Sequence, residues 1–186
     1  MMLDYTMLRH PDNDLAAVES FLVRFEFTED YLHLQYEVTG ELSALNIPAM
    51  QTPCPVDGLW QHTCFEAFIA VNGEERYYEF NFSPSSAWAA YAFSSYRCRS
   101  VWTIKNPPII IFTETDESLL MDVLIDVDDL PLKLENQSFQ LGLTAVIETN
   151  EGGLSYWALQ HSDGAADFHQ RKHFVLSFNS NNPQDL

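Results

Sequence analysis

Glu66, Glu79 and Asn81 are the residues whose types and spacing most directly suggest chemistry. They sit in two alternating runs, 64–71 (CFEAFIAV) and 76–82 (RYYEFNF), joined through Asn72-Gly73, a strong hairpin signal. With Asn72 and Gly73 as a two-residue turn, Glu66 falls opposite Glu79. With a four-residue loop over 72–75 it falls opposite Asn81. Either register puts the three on one face of a sheet. A proline-bearing turn at 83–86 leads into a third run, and a four-residue loop there sets Trp88 opposite Asn81 and Ala90 opposite Glu79. Neighbouring carboxylates repel, so something must offset them: an arginine, a metal ion such as calcium, a shared proton, or a ligand's hydroxyl groups. With aromatics and small alanines around them, they read as the floor of a small-ligand site. Two carboxylates about 5 to 10 Å apart would also suit a glycosidase, which leaves catalysis as an alternative to binding.

Other candidates are weaker by spacing. His161, His169 and His173 lie close in sequence and His62 sits at a loop–strand junction, but their spacings match no standard zinc pattern. Hydrogen bonding to a ligand is the role expected of His62, His161 and His169. Haem held by a Met/His pair would need Met50 or Met121, and nothing ties either to a histidine. No cofactor is expected. The sequence has no G-x-S-x-G, phosphate-cradling glycine loop or dinucleotide fingerprint.

The elements positioning these residues read almost entirely as strands. Period-two alternation marks 21–28 and 31–38 as a hairpin, with further strands at 87–93, 109–114, 119–127, 138–149, 154–159 and 173–178. The one helix candidate is 14–20. About ten strands separated by turn signals predict a two-sheet antiparallel sandwich, jelly-roll-like, in a single domain over 1–186. Three long connections, 40–63, 94–108 and 160–172, are natural carriers of binding groups. Arg97, Arg99, Lys105, Arg171 and Lys172 fall in or beside the last two. They hint at an anionic group on a ligand, or at ordinary pairing with acids.

The formal net charge of −18, from 9 basic and 27 acidic residues, argues against nucleic acid and anionic membrane surfaces as partners. Cys54, Cys64 and Cys98 lack metal or redox spacing and read as free thiols. With no basic-then-apolar leader at the N-terminus, the expected location is cytoplasmic.

The stretches LWQHTCFEAFI (59–69), YYEFNFSPSSAWAAY (77–91), SYR (95–97) and YWALQHSDGAADFHQRKHFVLSF (156–178) resemble the DOMON-like relatives of the family-9 carbohydrate-binding modules. The resemblance spans about 18–178. It implies a β-sandwich in which a saccharide lies between tryptophans, with acidic, amide and arginine groups on its hydroxyls. Glu66 after Trp60 and Asn81 after Glu79 match that pattern, and Arg97 and Trp157 match it less closely. Gln61-His62-Thr63 stand where sugar-binding relatives carry acids, which points away from plant-cell-wall glycans. The resulting expectation is non-catalytic binding of a carbohydrate or related small polar ligand. Glu66, Glu79 and Asn81 would form the floor, Trp60 with Trp88 or Trp157 would stack, and Arg97, His62, His161 and His169 would form the rim. The alternatives are a protein-interaction module that has lost its sugar and a haem-binding DOMON domain.

Overall fold

A computed structural model describes residues 2–13, 17–130 and 137–179. Thirteen strands among them form two antiparallel sheets. The five-stranded sheet runs β1 (Tyr5–Thr6), β3 (Val18–Phe27), β4 (Tyr31–Gly40), β10 (Ser118–Asp126), β9 (Ile109–Glu114). The eight-stranded sheet runs β2 (Leu8–Arg9), β12 (Leu154–Ala158), β11 (Ser138–Glu148), β5 (Cys64–Val71), β6 (Tyr77–Phe82), β7 (Trp88–Ser95), β8 (Cys98–Ser100). The closing strand β13 (Leu176–Asn179) also pairs with β11.

The core follows from the alternation. Phe21, Val23, Phe25 and Phe27 of β3 and Leu32, Leu34, Tyr36 and Val38 of β4 point inward against Phe65, Ala67 and Ile69 of β5 and Leu141, Leu143 and Ala145 of β11. Each fully buried large side chain contributes about 1.5–3 kcal/mol. Tyr36 ties the sheets together, its buried hydroxyl donating to the Glu66 carbonyl at 2.8 Å.

The two outer faces differ, and the difference locates the site. On the five-stranded sheet the outer side chains are partly solvated and mix polar pairs, such as His33–Asp122 at 2.8 Å and Arg24–Glu37 at 2.7 Å, with exposed Ile109 and Ile111. On the eight-stranded sheet, β5 is buried along its whole length on both faces. Its outer face lies under the connection 159–175. Phe174 of that connection packs on Phe68, ring centroids 5.5 Å apart, and His169 sits edge-on to Phe68 at 5.3 Å and Phe93 at 5.1 Å. Arg171 fastens it, donating to Gln140 Oε1 at 2.7 Å and to the Glu74 carbonyl.

Two sequence expectations are corrected. The helix over 14–20 is absent where it can be judged: residues 18–20 open β3, and 14–16 lie outside the described residues. The β6–β7 loop has five residues, closed by Ser83 N donating to the Ala87 carbonyl at 2.9 Å, with Ser86 at φ 72°. Phe82 therefore faces Trp88, and Asn81 and Glu79 face Ala89 and Tyr91. One extra residue turns every β7 side chain to the other face.

Candidate binding site on the outer face of the larger sheet

The β5–β6 hairpin takes the four-residue loop, so Glu66 opposes Asn81 and Phe68 opposes Glu79. Glu66 and Glu79 are then diagonal neighbours, separated on one face by Phe68 and Asn81. They line a cavity of about 500 Å³ whose walls include Phe68, Phe93, Tyr156, Phe168 and His169, with Trp60, Arg97 and Arg99 at its border.

The floor is held by two separate sets of hydrogen bonds, one on each carboxyl. Cys64 Sγ donates to Asn81 Oδ1 at 3.4 Å, Asn81 Nδ2 donates to Glu79 Oε1 at 2.6 Å, and Thr144 Oγ1 of β11 reaches Glu66 Oε2 at 3.0 Å. Glu66 is 2% exposed and Glu79 4%. Burial, then the charge of Glu79, pushes the Glu66 carboxyl up to about 8, against the Thr144 hydrogen bond. Burial also raises Glu79, to about 6, while Asn81, Arg99 and Arg97 pull it back. At neutral pH the pair therefore retains a proton and can both donate and accept hydrogen bonds.

The walls are held from the 159–175 connection and the β7–β8 turn. Arg97 N–H donates to Tyr77 Oη at 3.0 Å, and Tyr77 Oη meets His169 Nδ1 at 2.9 Å. His169 Nε2 faces Glu79 Oε2 at 3.8 Å, and carries the ring proton in the tautomer in which Tyr77 donates to Nδ1. Burial and then the Arg97 charge lower His169 to about 4, so its ring is neutral at neutral pH. Arg97 has φ 53°, a left-handed conformation uncommon for such a residue, and its guanidinium pairs with Asp167 at 2.9 Å. Burial would raise Asp167, but hydrogen bonds from Tyr96, Gln170 and Arg97 outweigh it and hold the carboxyl at about 2. Arg99 lies over the Tyr91 ring, 3.9 Å from its centroid, and pairs with Asp57 at 3.2 Å. Arg97 and Arg99, singled out as a hint of an anionic ligand, are thus each engaged by an acid, whereas Arg171 is held by Gln140 and backbone carbonyls.

Of the residues expected at a site, Trp60, Glu66, Glu79, Arg97 and His169 line the cavity, and Asn81 lies directly beneath, fully buried. Trp60 follows Gly58 (φ 79°) on the short 3₁₀ turn Leu59–Gln61 and is 49% exposed, free to cover a ligand face. Four expected residues lie elsewhere. Trp88, turned over by the longer loop, lines a second depression with Trp102 and Ile104. Trp157 is a core residue 5.6 Å from the Phe21 ring, its Nε1–H donating to Ser155 Oγ at 2.9 Å. His161 meets the Leu8 carbonyl at 2.7 Å and stands edge-on to His10. His62 is exposed and meets Glu148 Oε2 at 2.9 Å. Met50 is exposed and Met121 is buried between the sheets. Among the described residues no group of three or more His, Cys, Asp or Glu could hold a metal ion.

Phe93, Tyr156 and Phe168 are cavity residues not expected from sequence, and Arg99, noted there only among the clustered basic residues, joins them. Tyr156 had a signal: strand alternation must turn it to the opposite face from its buried neighbour Trp157.

No protein-family model matches the sequence, and no curated protein matches it. Solved structures do. One is a Bacteroides uniformis protein provisionally described as carbohydrate-binding, with 13% identity over 91% of this chain and 84% of that chain and a TM-score of 0.59. Another is a family-9 carbohydrate-binding module from Caldicellulosiruptor kristjanssonii in complex with glucose, with 7% identity over 82% and 75% of the two chains and a TM-score of 0.51. The fold is that of a carbohydrate-binding-module-like β-sandwich.

Proposed function

We propose that this protein binds a saccharide or sugar derivative, without catalysis, in the cavity on the outer face of the larger sheet, as a DOMON-like relative of the family-9 modules. The observation that carries the reading is the cavity floor: two buried carboxyl groups side by side with an amide, Glu79 bonded to Asn81 and Glu66 to Thr144, beneath aromatic rings. Carboxyl and amide groups suit hydroxyls, with charge-assisted bonds the stronger ones. Phe68, Phe93 and Trp60 offer rings for the apolar face of a pyranose. A volume near 500 Å³ falls within the range of about 300–1,000 Å³ typical of small-ligand sites. The fold shared with a module bound to glucose adds support.

Binding is favoured by the likeness to a structure described as a carbohydrate-binding module in complex with glucose, not by the separation of the two acids, which as diagonal neighbours stand at a distance glycosidases also use. The three free thiols suit a reducing compartment such as the cytoplasm.

A thermal-shift screen against neutral, amino, N-acetylated and acidic sugars tests the proposal. Ligand at about a hundredfold over Kd adds about 2.7 kcal/mol, and each kcal/mol is worth about 2–4 °C for a protein of this size. The expected result is a rise of about 5 to 10 °C for one sugar class, diminished by Trp60→Ala. No rise with any sugar would overturn the proposal.

A further inference from the structure

The cavity's charges do not balance. Four carboxyl groups are in or next to it, Glu66, Glu79, Asp167 and Asp57, against two guanidinium groups. Arg97 is taken by Asp167 and Arg99 by Asp57, at 2.9 and 3.2 Å. The floor pair is left with neutral donors only, Thr144 on Glu66 Oε2 and Asn81 on Glu79 Oε1. Among the described residues, no hydrogen bond reaches Glu66 Oε1, and only the 3.8 Å approach of His169 Nε2 reaches Glu79 Oε2. Two open carboxyl oxygens thus border a cavity large enough for a sugar.

We propose that the ligand carries a protonated primary amine whose ammonium group lodges between Glu66 and Glu79, so that the site favours an amino sugar over its neutral and N-acetylated counterparts. This rests on the saccharide reading above. An ammonium offers three N–H donors and a full positive charge, matching the two open oxygens and the missing cation together. N-acetylation removes the charge and two donors at once. A hydroxyl in the same place can satisfy only one open oxygen as donor.

Binding then displaces the proton the pair holds: the ammonium takes its place, both carboxyls become ionised, and the proton leaves to solvent. The surrounding groups hold fixed states near neutral pH. His169 is kept neutral by burial and by Arg97, Asp167 is kept ionised by its hydrogen bonds, and burial raises the Cys64 thiol and the Tyr77 phenol. Tyr156 completes the wall from β12, and the guanidinium charges of Arg97 and Arg99 are constant. The floor pair is the part of the cavity poised to exchange a proton.

Isothermal titration calorimetry of the full chain with glucosamine, glucose, N-acetylglucosamine and glucuronic acid tests this, with each titration repeated in two buffers of different ionisation enthalpy. Glucosamine should bind at least about tenfold more tightly than glucose, the worth of one charge-assisted hydrogen bond. Its apparent enthalpy should also shift between buffers, reporting the released proton. Glu66→Gln and Glu79→Gln, each near-isosteric, should erase both the preference and the buffer dependence. Equal affinity for glucosamine and glucose, or tighter binding of glucuronic acid, would overturn the amine assignment and leave the saccharide reading standing. Failure of all four sugars, and of a wider neutral panel, would overturn both.

Discussion

Glu66 occupies the least favourable environment for a charge in the site. Its carboxyl is buried beside a second carboxyl, so its folded-state pKa stands well above the ordinary glutamate value. A raised folded pKa means the native state holds a proton that the unfolded chain gives up at about pH 4.3. The resulting stability is fully present in acid and is lost as pH rises from there to about 8. Glu66→Gln removes this titration. The variant should therefore match the parent at about pH 4 and exceed it at about pH 9 by up to a few kcal/mol, since each tenfold change in proton affinity is worth about 1.4 kcal/mol. Denaturation midpoints across that range check it, and parallel pH profiles for the two proteins would contradict it. This buried pair was legible in the sequence because period-two alternation fixes faces regardless of register. That Glu66 faces Asn81 was not, since loops of two and four residues satisfy the same alternation.

At the scale of the element, the β6–β7 turn and strand β11 show where sequence reading succeeds and where it stops. Alternation identified the long strands of both sheets because one face of each must meet the core. A five-residue loop with one residue at positive φ looks in sequence like a four-residue loop, and that single residue sent Trp88 to the far face and brought Phe93 to the site. The short strands β1, β2 and β8 left no signal, being two or three residues long. Strand β11 carries the other lesson. Gly142 faces the outer surface where Phe174 lies against it, and a Cβ there would stand 2.7 Å from the Phe174 ring. Phe174 in turn packs on Phe68 and Tyr77 beneath the connection that walls the cavity. Gly142→Ala should therefore cost about 1–3 kcal/mol, as overpacking does, and loosen the His169 side of the site. Chemical denaturation would read the first effect. Unchanged stability would show that Phe174 can move aside freely.

For the whole molecule, the division of labour lies between two faces of one sheet. The inner face of the larger sheet builds the core with the smaller sheet. The outer face uses the same strands to hold polar groups that a core would not tolerate unless they were satisfied. A single connection, 159–175, fastened by Arg171 and Phe174, turns that face from a surface into a cavity. The sequence showed the strands and the polar face but not this cover, because which side chains a long irregular connection lays over a sheet depends on tertiary contacts. The same contacts drew His169 inward and left His161 against the N-terminal segment, although the two belong to the same loop.

The measurement that bears most directly on the saccharide site is a map of where a sugar touches the protein. Heteronuclear NMR of isotope-labelled protein, titrated with the sugar giving the largest thermal shift, reports this residue by residue. A sugar seated on the Glu66–Glu79 floor should give saturable shifts at the Trp60 indole, the Arg97 and Arg99 amides and the His169 ring, with Trp88 and Trp102 undisturbed. Shifts centred on Trp88 and Trp102, or none at the Glu66–Glu79 face, would contradict that placement.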